Sequence, residues 1–267
     1  MSHIHIPDGV LPLWLVAAGW AGALILLWYA ARRSRAAEVR RKVPLLGVVA
    51  ALVLVSMSTE IVPIAYHVNL TVVAGVLLGP WLGAIAAFIV VLILALLGHG
   101  GVTVIGLNTL MIAAEMALGW GLFRLFVRLL GTARVRWAAA VSTVLTLAVT
   151  TTLLVGIVAL GGGAATGRET GALDPNSLTF ANPFGGGVVA VNTLRGEAPS
   201  PATAAPAPLS VGRFAAVVYT LGPIGWVLEA LVTAAVLGYA ARVRPQLVFG
   251  GALSALSRRP AGDEGVE

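Results

Sequence analysis

The chain has 267 residues, 58% of them hydrophobic and 10% charged, with a mean hydropathy of +0.95 and a formal net charge of +6. Soluble domains carry about 25% charged residues, so this chain cannot cover itself with a solvated surface. Its apolar runs are continuous rather than alternating, which excludes a membrane barrel and leaves an all-α integral membrane protein. It has no cysteine, hence no disulfide, thiolate metal site or cysteine nucleophile. No glycine-rich loop ends in Lys-Ser/Thr, so the chain does not itself hydrolyse ATP.

The first ten residues, Met1 to Val10, carry two of the four histidines, His3 and His5, beside the amino terminus. They lack the basic start and small-residue cleavage site of a signal peptide, and the segment is expected to be retained. Histidine is the commonest protein ligand for borderline transition metals. If Met1 is retained, its amine, the amides of Ser2 and His3 and the His3 ring close a four-nitrogen plane. If Met1 is removed, as small Ser2 permits, the Ser2 amine with the amide and ring of His3 supplies three nitrogens. An incoming imidazole, best placed on His67, would then be the fourth. Such a plane suits Ni(II) and Cu(II) and can take Co(II). Pro7 offers no amide nitrogen and is better placed to aim the tail than to bind.

A first span from about Pro12 to Tyr29 ends in Arg32, Arg33, Arg35, Arg40, Arg41 and Lys42, which makes the first loop cytoplasmic and puts the N-terminus outside. Ala17, Ala18, Gly19, Ala21, Gly22 and Ala23 give this span a small-residue face, for packing within the subunit or for docking a separate one. A second span, from about Val43 to Ile61, exits at Glu60, Pro63, Tyr66 and His67. The run from Asn69 to Leu97 must turn at Gly79-Pro80, because a single pass would put Arg124, Arg128, Arg134 and Arg136 outside. Each half is then short or re-entrant; Asn69 to Gly79 as helix covers about 16 Å of a core about 30 Å thick. Gly75, Gly79 and Gly83 let these short pieces pack backbone to backbone.

The outer turn from Gly98 through His99 to Gly101 leads to a span from about Thr103 to Phe123 with Asn108 and Glu115. A Thr-rich span follows from about Trp137 to Leu160, then an external flexible loop, 161–212, and a last span from about Phe214 to Tyr239 holding Glu229. This organisation is one helical membrane domain, 1–242, with a cytoplasmic tail, 243–267. It has about seven spans, N-terminus outside and C-terminus inside, and 14 of the 17 Lys and Arg fall on inner segments. All four histidines then fall on the outer side.

Glu60, Glu115 and Glu229 are costly in lipid and should face the bundle interior, as an ion path, a proton relay or partnered structural groups. Asn108, close below His99, has the same two readings.

These residues together resemble the CbiM/NikM family, the substrate-specific membrane components of energy-coupling-factor transporters for cobalt and nickel. The resemblance is carried by His5-Ile6-Pro7-Asp8-Gly9, by His67 followed by Leu77-Leu78-Gly79-Pro80-Trp81-Leu82-Gly83, and by Gly98-His99-Gly100-Gly101-Val102-Thr103 with Gly106-Leu107-Asn108. The family often has Asp in place of His99. The similarity covers roughly residues 1 to 160. It implies a seven-helix subunit of a prokaryotic cell membrane that binds the metal at its outer face. The implied ligands are the terminal amine, the amide and ring of the adjacent histidine, and a second histidine, here His67. Motif register points to His5 as the first histidine, whereas His3 is beside the amine once Met1 is lost. We take His3 as the terminal chelator and His5 as an additional or capture ligand. His99, Asn108, Glu60 and Glu115 are candidates for a second shell or path. The implied partners are a transmembrane coupling protein, two cytosolic ATPases and often a small accessory membrane subunit; Ni(II) or Co(II) is substrate, and no catalytic cofactor is expected. An intramembrane enzyme lacks its marks, since there is no His-Glu-x-x-His helix and no Gly-x-Ser-x-Gly turn. A proton-coupled secondary carrier would use Glu60, Glu115 and Glu229 and predicts transport without ATPases, with an inverted repeat that is not visible.

Overall fold

A computed structural model of the chain describes residues 11–34, 42–58, 60–61, 66–98, 101–165 and 211–250. Helix α1, Leu13–Arg33, starts after extended Pro12, whose carbonyl accepts from the Leu15 and Val16 N–H groups. It ends on Arg32 and Arg33, cations at the negative end of the helix dipole. The Arg32 guanidinium lies 3.9 Å over the Trp28 ring and Arg33 donates to the Tyr29 hydroxyl at 2.7 and 3.0 Å. Charge and aromatic surface at one helix end are what a membrane boundary selects.

Helix α2, Val43–Ser58, stops short of the expected Ile61, so Glu60 lies beyond the helix. Its backbone enters a two-residue strand β1, Glu60–Ile61, which pairs antiparallel with β2, Tyr66–His67. Helix α3, Thr71–Leu96, is apolar and buried along most of its length, and it is broken at Gly79, where φ is 80° and ψ 175°. An L-residue rarely adopts that φ, and Pro80 cannot donate back into the preceding turn. The break reverses the chain. Gly75 and Gly83 stand on either side of it, about 12 Å apart were the helix straight, yet both pack against Met116. The expected pair of short passes turning at Gly79-Pro80 is therefore present, one piece covering 71–78 and the other 80–96.

Helix α4, Ile105–Leu130, runs beside this hairpin and stops at Gly131, whose φ is 79°. A short 3-10 turn, Thr132–Arg134, leads into α5, Val135–Ala165, and α6, Val211–Val243, packs against α5. The external loop was expected to begin at Gly161, but the helix continues to Ala165. Gly161 serves packing there, since a Cβ on it would sit 2.6 Å from Leu11 Cδ2. Glycine is tolerated in membrane helices because lipid offers the freed backbone no competing partner. The loop residues 166–210 and the terminal residues 251–267 lie outside the described residues. Past Val243 the chain stays on the bundle, with Val248 and Phe249 buried in the main core.

Among the described residues the seven expected passes are six α-helices, of which α3 is split in two. Five of these described helices are long and apolar enough to cross a membrane, and α2 is a shorter apolar helix. The two ends of the bundle differ in chemistry. At one end, Tyr29 stacks edge-on with Trp81 at 4.8 Å, the Arg124 guanidinium lies 4.5 Å over Trp120, and Arg136 crosses Gly238 of α6. The Gly79-Pro80 turn is at this basic end. At the other, Leu11, Leu15 and Val16 pack with Val104, Leu107 and Leu154, and the Trp20 indole donates to the Thr103 carbonyl at 2.7 Å. Gly106 of α4 meets Gly19 and Trp20 of α1 backbone to backbone. Of the small-residue face, Gly19 and Ala23 are buried inside the subunit, whereas Ala17, Ala18 and Ala21 are exposed.

Candidate metal-capture site

The segment that enters α3 carries the described part of the candidate site. Residues 68–70 link β2 to the helix without helical backbone, and this non-helical chain needs polar partners inside an apolar bundle. Asn69 and Thr71, two residues apart, are both fully buried. The Thr71 N–H donates to the Asn69 carbonyl at 2.7 Å, which tightens the chain before the helix begins.

Glu115 of α4 supplies the acceptor. It is 1% exposed, and its Oε1 accepts from Asn69 Nδ2 at 2.6 Å and from the Thr71 hydroxyl. A buried carboxyl oxygen is tolerated when donors satisfy it. Backbone packing reinforces the register. A Cβ on Gly75 would stand 2.1 Å from the Met116 carbonyl oxygen, and one on Gly119 would stand 3.0 Å from both Val72 methyls. The first turns of α3 are thus clamped to α4 over Glu115, Met116 and Gly119.

The sequence-predicted ligands distribute unevenly over this frame. Met1, Ser2, His3, His5 and His99 lie outside the described residues. The backbone of His67 is placed in β2, in register with Glu60 of β1, and it precedes Asn69 by two residues. Asn108 is buried on α4, seven residues before Glu115 and so on the same face two turns away. Glu229 is fully buried on α6. Among the described residues no three His, Asp or Glu side chains gather around a metal-sized space.

Sequence reasoning singled out Glu115 but not its donors. The available signal was the pair of short polar residues, Asn69 and Thr71, directly after His67 in an apolar run. It also missed the Glu60↔His67 pairing, because strands of two residues show no alternation to read. The threonines of α5 mostly satisfy themselves: Thr143 donates to the Ala139 carbonyl at 2.8 Å and Thr150 to the Thr146 carbonyl at 3.0 Å.

The profile of the CbiM family, described as a cobalt uptake substrate-specific transmembrane region, matches residues 5–247. That reaches well past residue 160, where the motif resemblance faded. The chain is 38% identical over 128 residues to a protein of Haloquadratum walsbyi inferred to transport metal, covering 46% of this chain and 59% of that protein. It is also 38% identical over 110 residues to a protein of Methanocaldococcus jannaschii with the same inferred role, covering 39% of this chain and 49% of that one. The alignments therefore span roughly half to three-fifths of these relatives. Two crystal structures share the fold at 20% identity. One is described as a transition metal transporter, with a TM-score of 0.67 over 97% of this chain and all of that one. The other, a truncated transition metal transporter, has a TM-score of 0.66 over 90% of this chain and 99% of that one. An all-helical multi-pass bundle, with a family match running from the first histidine motif to the last helix, makes this chain a member of the CbiM family of metal uptake transmembrane components.

Proposed function

We propose that the chain captures Ni(II) or Co(II) at the extracytoplasmic face for an ATP-driven uptake transporter. Its ligands are the terminal amine, the amide and ring of His3, and His67, with His5 as an additional capture ligand. The observation that carries this reading is the family match from His5 to Leu247. The two chemically distinct ends of the bundle support it, because chain entry at Leu11 is opposite the arginine-rich end. Borderline metals favour imidazole and amide nitrogen, and the chain has no thiolate to compete. ATP is hydrolysed by two cytosolic subunits that act through a transmembrane coupling protein.

Ni(II) or Co(II) titration of the purified chain with an intact amino terminus tests the ligand set. Adding one residue before Met1, or His67→Ala, is expected to weaken binding more than about 100-fold, beyond the 10–100-fold typical of groups outside the coordination sphere. Unchanged affinity in both variants refutes the hook. Cellular metal uptake should require coproduction of the coupling protein and ATPases. Uptake by the chain alone, driven by a proton gradient, would instead support a secondary carrier.

A further inference from the structure

We infer that Glu115 is a positioning residue for the capture site: through Asn69 and Thr71 it fixes where the His67 strand stands in the bundle. The inference rests on the reading of His67 as a ligand and adds the group that holds it.

The chain leaving His67 has no regular secondary structure of its own until Thr71. Across 68–70 its backbone direction is set by what the side chains grip. The two polar side chains available, Asn69 and Thr71, converge on one oxygen, Glu115 Oε1. Because both donors meet one acceptor on a helix, they fix the strand exit in two directions at once. The helix itself cannot slide, since the Gly75 and Gly119 contacts leave no room for displacement between α3 and α4. His67 therefore sits two residues from a point tied to the rigid core, although it belongs to a strand of only two residues. A planar nitrogen set tolerates little misplacement of its fourth ligand, and a ligand on an untethered loop would pay ordering entropy when the ion arrives. Glu115 Oε1 acts here as an acceptor. The clamp needs an oxygen at that position, not a transferable proton, which separates this role from a relay.

The test titrates the full chain, in detergent and with a native amino terminus, with Ni(II). Bound Cu(II) is used in parallel to count coordinated nitrogens by paramagnetic resonance. Glu115→Ala is expected to weaken Ni(II) binding about 10- to 100-fold and to remove one nitrogen from the Cu(II) spectrum. Glu115→Gln keeps an oxygen acceptor and should stay within about threefold of wild type. Thr71→Val should move in the direction of Glu115→Ala, with Thr71→Ser restoring binding; Asn69→Ala gives the same reading if Glu115→Ala does not fold. In a His67→Ala background, Glu115→Ala should cause no further loss. Weakened binding in His67→Ala, with unchanged affinity and spectrum in the Glu115 and Thr71 variants, overturns the positioning role and leaves the ligand assignment standing. Full binding by His67→Ala overturns both. A Gln variant as damaged as the Ala variant overturns the acceptor role and assigns the charge itself to function.

Discussion

Glycines that look alike in this sequence do unlike work, and substitution separates them. Gly119 and Gly121 lie two residues apart on α4, but a Cβ on Gly119 meets two Val72 methyls at 3.0 Å while one on Gly121 meets nothing within 4 Å. Gly119→Ala is expected to destabilise by about 1–3 kcal/mol through overpacking. Gly121→Ala should be neutral or stabilising by up to about 1 kcal/mol through helix propensity. Thermal unfolding of the two variants in one detergent reads the contrast, and equal effects would contradict the packing. The spacing of Gly75, Gly79 and Gly83 was visible in the sequence, as was the need for a turn. What it could not show is that Gly75 and Gly83 share one neighbour, Met116, because that follows only once the chain has folded back.

At the scale of elements, α1 depends on its crossing with α4. A Cβ on Gly106 would stand 2.6 Å from the Trp20 nitrogen, a backbone atom that cannot give way without moving the helix. Gly106→Ala should therefore loosen α1 as a unit, whereas Trp20→Phe removes one hydrogen bond to Thr103, worth about 1 kcal/mol. The chain has no native cysteine, so a pair introduced across α1 and α4 reports the crossing directly. Crosslinking should fall sharply in Gly106→Ala and little in Trp20→Phe. Helix positions were legible from hydropathy because lipid imposes long apolar runs. The continuation of α5 through Gly161 was not, since glycine reads as a breaker by the rules of water, and Gly161 is buried against Leu11.

For the whole molecule, the end that the positive-inside rule turns to the cytoplasm is the end where the arginines gather in the bundle. The sequence assigned the arginine-bearing segments to one side, and the bundle holds Arg33, Arg124 and Arg136 at one end, where Arg134, Arg136 and Arg242 line part of a cavity of about 610 Å³. Single cysteines at exposed Gln246 and at Val102 should therefore react with a membrane-impermeant label from opposite sides, Val102 in intact cells and Gln246 only after lysis. The reverse pattern would invert the topology. Of the candidate site, Glu115 was legible as a buried carboxylate, whereas a ligand role for His67 is what the resemblance implies. The clamp joining them was not legible, because Asn69 and Thr71 become neighbours of Glu115 only through a separation of more than forty residues.

The half-length helix after Thr71 changes how far polar chain reaches into the bundle. A full transmembrane helix in that sector would place about 30 Å of hydrocarbon-like wall between the aqueous phase and the basic end. Here only 71–78 is helical before the turn, and the polar links of Asn69 and Thr71 reach down to Glu115, ten residues below the start of α4. Asn69, Thr71 and Glu115 are shut away from solvent there, so the polar chain forms a sealed plug inside the apolar bundle.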